Sequence, residues 1–161
     1  MKSIGNACSD PSERDIEARK RWMAILAKSS EEELEKAWEM LDPPPLFSYL
    51  RKPEIGLVMV QGRAGGTGQR FNLGEMTMTR CAVQVEGGHV GCAYLAGRSP
   101  GRAEVAAVLD ALLQDPRQHD CIMKEIILPL EGILKEKRER KAARADSTRV
   151  EFFTMVRGDS F

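Results

Sequence analysis

Gly74-Glu-Met-Thr-Met-Thr-Arg-Cys-Ala-Val-Gln-Val-Glu-Gly-Gly-His-Val-Gly-Cys-Ala-Tyr-Leu-Ala-Gly97 decides the fold. Glu86-Gly87-Gly88-His89 has the composition of a tight turn, so the residues on either side predict a β-hairpin with strands over 74–85 and 89–97. Within the first strand the apolar phase changes. Met76 and Met78 lie on one face, whereas Cys81, Val83 and Val85 lie on the other, and the change falls at Thr79-Arg80. A bulge there, a change in which face is covered, or a strand packed on both faces would each account for it.

Working outward, 11 of the 14 glycines fall between Gly56 and Gly101. The middle of the chain therefore reads as sheet and turn, and the ends read as helix. Further strands are expected at 46–50 and 56–63. Asp10-Pro11-Ser12-Glu13 resembles a capped helix start, which predicts a helix over about 11–28. Ser30 with Glu33 forms a second capping box ahead of Leu34, Ala37, Trp38 and Leu41 at helical spacing. Ser99-Pro100 starts a third helix that Pro116 closes. A helical stripe from Cys121 to Leu134 contains Pro129, which should kink or split it. In the tail, Val150, Phe152, Thr154 and Val156 alternate with Glu151, Phe153, Met155 and Arg157, as in a terminal strand covered on both sides. The expected class is α+β: an antiparallel sheet of about four to five strands flanked by N-terminal and C-terminal helices. At 161 residues this is one domain over 1–161, with 1–10 a loose tail.

Composition narrows the function. The 24 basic and 24 acidic residues cancel, so no global field draws the chain to nucleic acid or membrane. The basic run at 135–144 reads as a solvated helical face. The four cysteines are scattered, with no CxxC pair and no metal-ligand spacing. No signal-like or membrane-spanning stretch stands out, so a cytoplasmic location is expected. His89 and His119 are read as surface or packing residues, and no nucleophile motif accompanies them. Cys81 and Cys92 are read as buried thiols.

Possible chemistry concentrates at Arg63-Ala-Gly-Gly-Thr-Gly-Gln-Arg70. Gly65, Gly66 and Gly68 free the backbone for close approach to a ligand, with Thr67 among them as a further candidate, and Arg63 and Arg70 bracket the loop with forks suited to phosphate or carboxylate. The strand beyond adds Glu75, Thr79 and Arg80. The P-loop pattern fails, because Gln follows Gly68 where Lys is required, and the dinucleotide fingerprint fails because no helix opens here. A direct anion site and a contact surface both remain open. Glu75 and Asp159 are candidates for acid–base work or for pairing with arginine.

The run Arg63 to Arg80, with Gly97-Arg98, Ala103-Glu104, Asp110-Ala111-Leu112 and the tail Ser147 to Asp159, resembles the PhnG family, the small subunit of the bacterial carbon–phosphorus lyase core complex. Arg21-Trp22-Met23 and Leu26-Ala27 are similar to that family's first helix. The resemblance implies a role in the step where methylphosphonate displaces adenine from ATP to give α-D-ribose 1-methylphosphonate 5-triphosphate. It further implies partners: a nucleosidase-like subunit, a radical-SAM subunit and a further small subunit. ATP would be the co-substrate of the complex, with no cofactor and no metal held by this chain and no catalytic residue in it. A structural or activating subunit is the reading favoured; the alternative is a direct contribution to nucleotide or phosphonate binding through the glycine-arginine loop. The candidate ligand-binding or interface residues in the tail are Arg149, Phe152, Phe153, Arg157 and Asp159.

Overall fold

The computed structural model describes residues 13–147. The expected tail strand, with Arg149, Phe152, Phe153, Arg157 and Asp159, lies outside the described residues, as does the loose tail at 1–10. Helices α1 (Glu13–Lys28) and α2 (Glu31–Glu39) precede three strands, β1 (Phe47–Arg63), β2 (Arg70–Val85) and β3 (Val90–Ala96). Helix α3 (Pro100–Leu112), α4 (Pro116–Ile122), a π turn at Met123–Ile127 and α5 (Leu128–Ser147) follow. The class is α+β, with an antiparallel sheet in the order β1-β2-β3.

The expected hairpin forms. Gly87 and Gly88 take φ of 99° and 88°, which only glycine accepts without strain. The N–H of Val85 donates to the carbonyl of His89 at 3.1 Å and closes the turn. Among the described residues the strand count is lower than expected because the strands read at 46–50 and 56–63 merge into one 17-residue strand, β1, from Phe47 to Arg63. Pro53 sits inside it. A proline cannot donate to a ladder, but β1 is an edge strand, and its pairing with β2 shifts between Arg51 and Glu54 to pass the proline. The irregularity foreseen at Thr79-Arg80 is thus in the facing strand, while β2 pairs with β3 in unbroken register from Met78 to Gln84.

The core lies between the sheet and α3. Thr79, Cys81, Val83 and Val85 bury one face of β2, and every residue of α3 from Ala106 to Leu112 is buried. Small residues let the helix sit close. A Cβ on Gly91 would fall 1.9 Å from the carbonyl oxygen of Ala107, so β3 and α3 touch backbone to backbone. Trp22, Ile25 and Leu26 of α1, Leu34 and Ala37 of α2, and Ile122, Ile126 and Ile127 complete the core. Ser30 caps α2 through the expected capping box, and Arg102 of α3 donates to the carbonyls of Ser29 (2.5 Å) and Ala27 at the end of α1. Pro129 neither breaks nor splits its helix. The missing N–H is accommodated by the π turn just ahead of it, and the helix continues to Ser147.

The basic run is a solvated face, as read from the sequence. Lys135 pairs with Glu139 and Arg140 with Glu136 along α5, and Lys137 reaches Glu33 of α2 at 2.6 Å. No helix among the described residues is long and apolar enough to cross a membrane.

Candidate functional site

β1 and β2 outrun the rest of the molecule. They pair from Phe47↔Val85 to Arg63↔Arg70, but β3 reaches only as far as Met78, which stands opposite Ala96. Beyond that point β1 and β2 form a two-stranded arm, and no residue from Ile55 to Met78 is buried. The sequence composition of the arm is nevertheless apolar: Ile55, Leu57, Val58, Met59, Phe71, Leu73 and Met76 are all exposed, Leu57 and Leu73 by about two-thirds (65% and 67%). Residues directly opposite share a face. Ile55, Leu57 and Met59 therefore lie with Thr79, Thr77 and Glu75, and Val58 lies with Met76 on the other side. An isolated two-stranded ribbon is marginal in water, and a contiguous exposed apolar surface marks a contact site.

The glycine-arginine loop is the tip of this arm. Arg63 ends β1, Ala64–Gly66 forms a single 3₁₀ turn, and Arg70 begins β2. Gly65 and Gly66 take φ of 60° and 81°, and the N–H of Gly68 donates to the carbonyl of Ala64 at 2.8 Å. A Cβ on Gly68 would lie 2.5 Å from that same oxygen. The three glycines are accounted for by the turn itself. Arg63 and Arg70 face one another across the ladder, both exposed, beside Thr67. Like charges in directly opposed positions destabilise a ribbon, so this pair favours an acidic group placed between or beside them.

The remaining candidates separate. Thr79 is fully buried; its hydroxyl donates to the carbonyl of Gly97 at 2.7 Å and accepts the N–H of Ser99 at 3.1 Å, tying β2 to the start of α3. Arg80 is at the root of the arm, where its Nε donates to Glu54; Arg51 donates to the same carboxylate at 2.6 Å. Hydrogen bonds from Arg51, then from Arg80, hold the Glu54 carboxyl below the usual carboxylate range. Glu75 is exposed opposite Met59. The structure thus brings Arg63, Gly65, Gly66, Thr67, Gly68 and Arg70 together and sets Thr79 and Arg80 at the other end of the arm.

A second cluster was not foreseen. Asp110, fully buried on α3, accepts from Arg19 Nη2 at 2.7 Å, Arg19 Nε at 3.2 Å, Trp22 Nε1 at 2.9 Å and the backbone N–H of Cys92 at 2.9 Å. Arg19 and Gln114 also donate to the carbonyl of Val90. The hydrogen bond to Asp110 raises the Arg19 pKa, against the opposing effect of burial. Both Asp110 oxygens are taken up by groups of the chain itself, which gives the cluster a structural role. His119 packs edge-on against Trp22, and its Nδ1 lies 2.7 Å from the carbonyl of Leu113. Cys81 is buried, and burial pushes its thiol up to about 11; Cys92 is half-buried rather than fully so. Two open grooves of about 790 and 870 Å³ flank the helical layer and include no arm residue.

Comparison with known proteins gives two findings. A family model described as phosphonate metabolism protein PhnG matches residues 17–158. Over 154 residues, 96% of this chain and 98% of the relative, the sequence is 38% identical to the alpha-D-ribose 1-methylphosphonate 5-triphosphate synthase subunit PhnG of Rhizobium meliloti (strain 1021).

Proposed function

The chain belongs to the PhnG family of phosphonate metabolism proteins, and on that premise we propose that it is an assembly subunit of an α-D-ribose 1-methylphosphonate 5-triphosphate synthase. The observation that carries this reading is the arm: seven large apolar side chains held on a ribbon in which nothing from Ile55 to Met78 is buried. Such a surface costs solubility in the free chain and gains by burial against a larger partner. The synthase transfers a ribosyl 5-triphosphate group from adenine to methylphosphonate, and the bond-making groups belong to another subunit. A nucleosidase-like subunit is the partner this reading names first, with a radical-SAM subunit and a further small subunit in the same complex, located in the cytoplasm. ATP enters as a substrate of the whole complex.

A shortened arm tests this. Gly56 stands directly opposite Met78, whose backbone is turned toward β1, so replacing 57–77 with Asn-Gly gives a two-residue hairpin turn and leaves every buried residue in place. The shortened chain should fold and fail to co-purify with its partner subunits. Normal co-purification would exclude the arm as the assembly element.

A second reading rests on Arg63 and Arg70. Two opposed guanidiniums at the end of a projecting arm would suit the triphosphate or phosphonate at the edge of a partner's site. This reading adds ligand contact to the arm without removing its assembly role.

A further inference from the structure

The two long sides of the sheet are treated differently. Along the outer edge of β3, side chains occupy the backbone groups: Asp110 takes the N–H of Cys92, and Arg19 and Gln114 take the carbonyl of Val90. At Val90 and Cys92 that edge is closed to another strand. On the far side of the sheet, Lys52, Pro53 and the register shift before Glu54 interrupt β1, which are the devices that keep an edge strand from pairing.

Beyond Met78 both sides of the arm carry no further strand among the described residues, and the β2 side is the one that lies in line with β3. In β2 the odd residues turn their backbone toward β3, as the bond from Gly97 N–H to the carbonyl of Thr77 (2.8 Å) and the pairing of Val85 with His89 show. Alternation along an antiparallel strand gives Glu75 the same orientation. No strand of the described residues lies there, because β3 ends at Ala96. The segment 74–77 contains neither proline nor lysine. β3 therefore stops where its own path would continue along the arm.

Building on the assembly reading, we infer that a partner subunit supplies an extended strand that pairs with the β2 edge of the arm, in line with β3. Its chemistry is set by what flanks that edge. Glu75 and Thr77 flank that edge on one face, with Leu57 and Met59 behind them, and Met76 and Met78 flank it on the other, with Val58 behind, so the incoming strand carries apolar side chains to the methionine face. Arg63 and Arg70 at the far end call for a carboxylate on the partner. Backbone pairing supplies affinity, and the alternating side chains and the acid supply register.

The test uses the assembled complex. Amide hydrogen exchange at Glu75 should slow at least about 100-fold on assembly, the protection of a ladder hydrogen bond that opens only with the interface. Two variants separate backbone from side chain: Glu75→Gln should assemble normally, and Glu75→Pro, which removes the N–H facing the open edge and none that bonds to β1, should weaken assembly at least about 10-fold. Exchange at 79–85 in the free Glu75→Pro chain checks that its core remains folded. If Leu57 and Met76 become buried while the Glu75 amide exchanges as in the free chain, strand addition is overturned and the arm reading stands. If neither changes, both fall. Normal assembly of Glu75→Pro would also overturn strand addition.

Discussion

Asp110 accepts the backbone N–H of Cys92 at 2.9 Å, and this one bond joins the central helix to the outer edge of the sheet. The same carboxylate holds Arg19 and Trp22 of α1, so three elements meet at one buried charge. Asp110→Ala would leave a guanidinium, an indole N–H and an amide without their acceptor. Breaking a buried pair from one side costs about 3–5 kcal/mol, and Arg19 is partly exposed, so a loss near about 3 kcal/mol is expected by urea denaturation. A loss under about 1 kcal/mol would remove Asp110 from the centre of the fold.

Gly91 should tolerate no side chain. The atoms a Cβ would meet are the backbone of Ala107 and Ala111, which move only if α3 moves. Gly91→Ala is expected to destabilise by about 3 kcal/mol or to shift α3 off the sheet. Thermal unfolding reads this directly, and Gly56→Ala, where no atom lies within 4 Å, is the control that should change little.

Tyr49 gives a pH signature. Its hydroxyl donates to Glu104 at 2.5 Å, and that bond, with burial and the Glu104 charge behind it, pushes the phenol up to about 12. A phenol raised above its ordinary value of about 10 contributes fully below that pH. The contribution fades as pH rises toward about 12, where the folded phenol ionises. Tyrosinate absorbance should show a late step, absent in Tyr49→Phe. A late step that survives the substitution would assign it elsewhere.

Much of this fold was legible because its signals are local. The Gly87-Gly88 turn, the Ser30–Glu33 capping box and the Pro100 helix start depend on a few neighbouring residues, and each formed as read. The single long β1 was not legible. Pro53 looks like a terminator in sequence, and only its place on an edge strand lets the ladder resume at Glu54. At the candidate site, the loop from Arg63 to Arg70 was found because two arginines bracket three glycines within eight positions. Its setting at the end of an unsupported arm was not, since that depends on where β3 stops. Thr79 was named among the candidates on the strand beyond the loop, and the fold spends its hydroxyl on Gly97 and Ser99. Asp110 lies in a motif that carried the family resemblance, yet an aspartate within the apolar stretch Val105–Leu112 gives no sign of its partners 18 and 91 positions away.

Arg70→Ala separates the two readings of the loop. If the arginine pair binds a buried phosphate group, the assembled synthase should lose nucleotide affinity by about 2–5 kcal/mol while assembling normally. If it meets a carboxylate of the partner, assembly weakens and nucleotide affinity in the residual complex is unchanged. Equilibrium nucleotide binding and co-purification together decide.

The account stands most directly on whether the arm is covered. Footprinting of side-chain exposure, free and assembled with the partner subunits, should show Leu57, Met59, Phe71, Leu73 and Met76 exposed in the free chain and protected in the complex. Tyr94, exposed on β3 outside the arm, serves as the reference within the same chain. Arm residues that stay as reactive in the complex as in the free chain would contradict the assembly role.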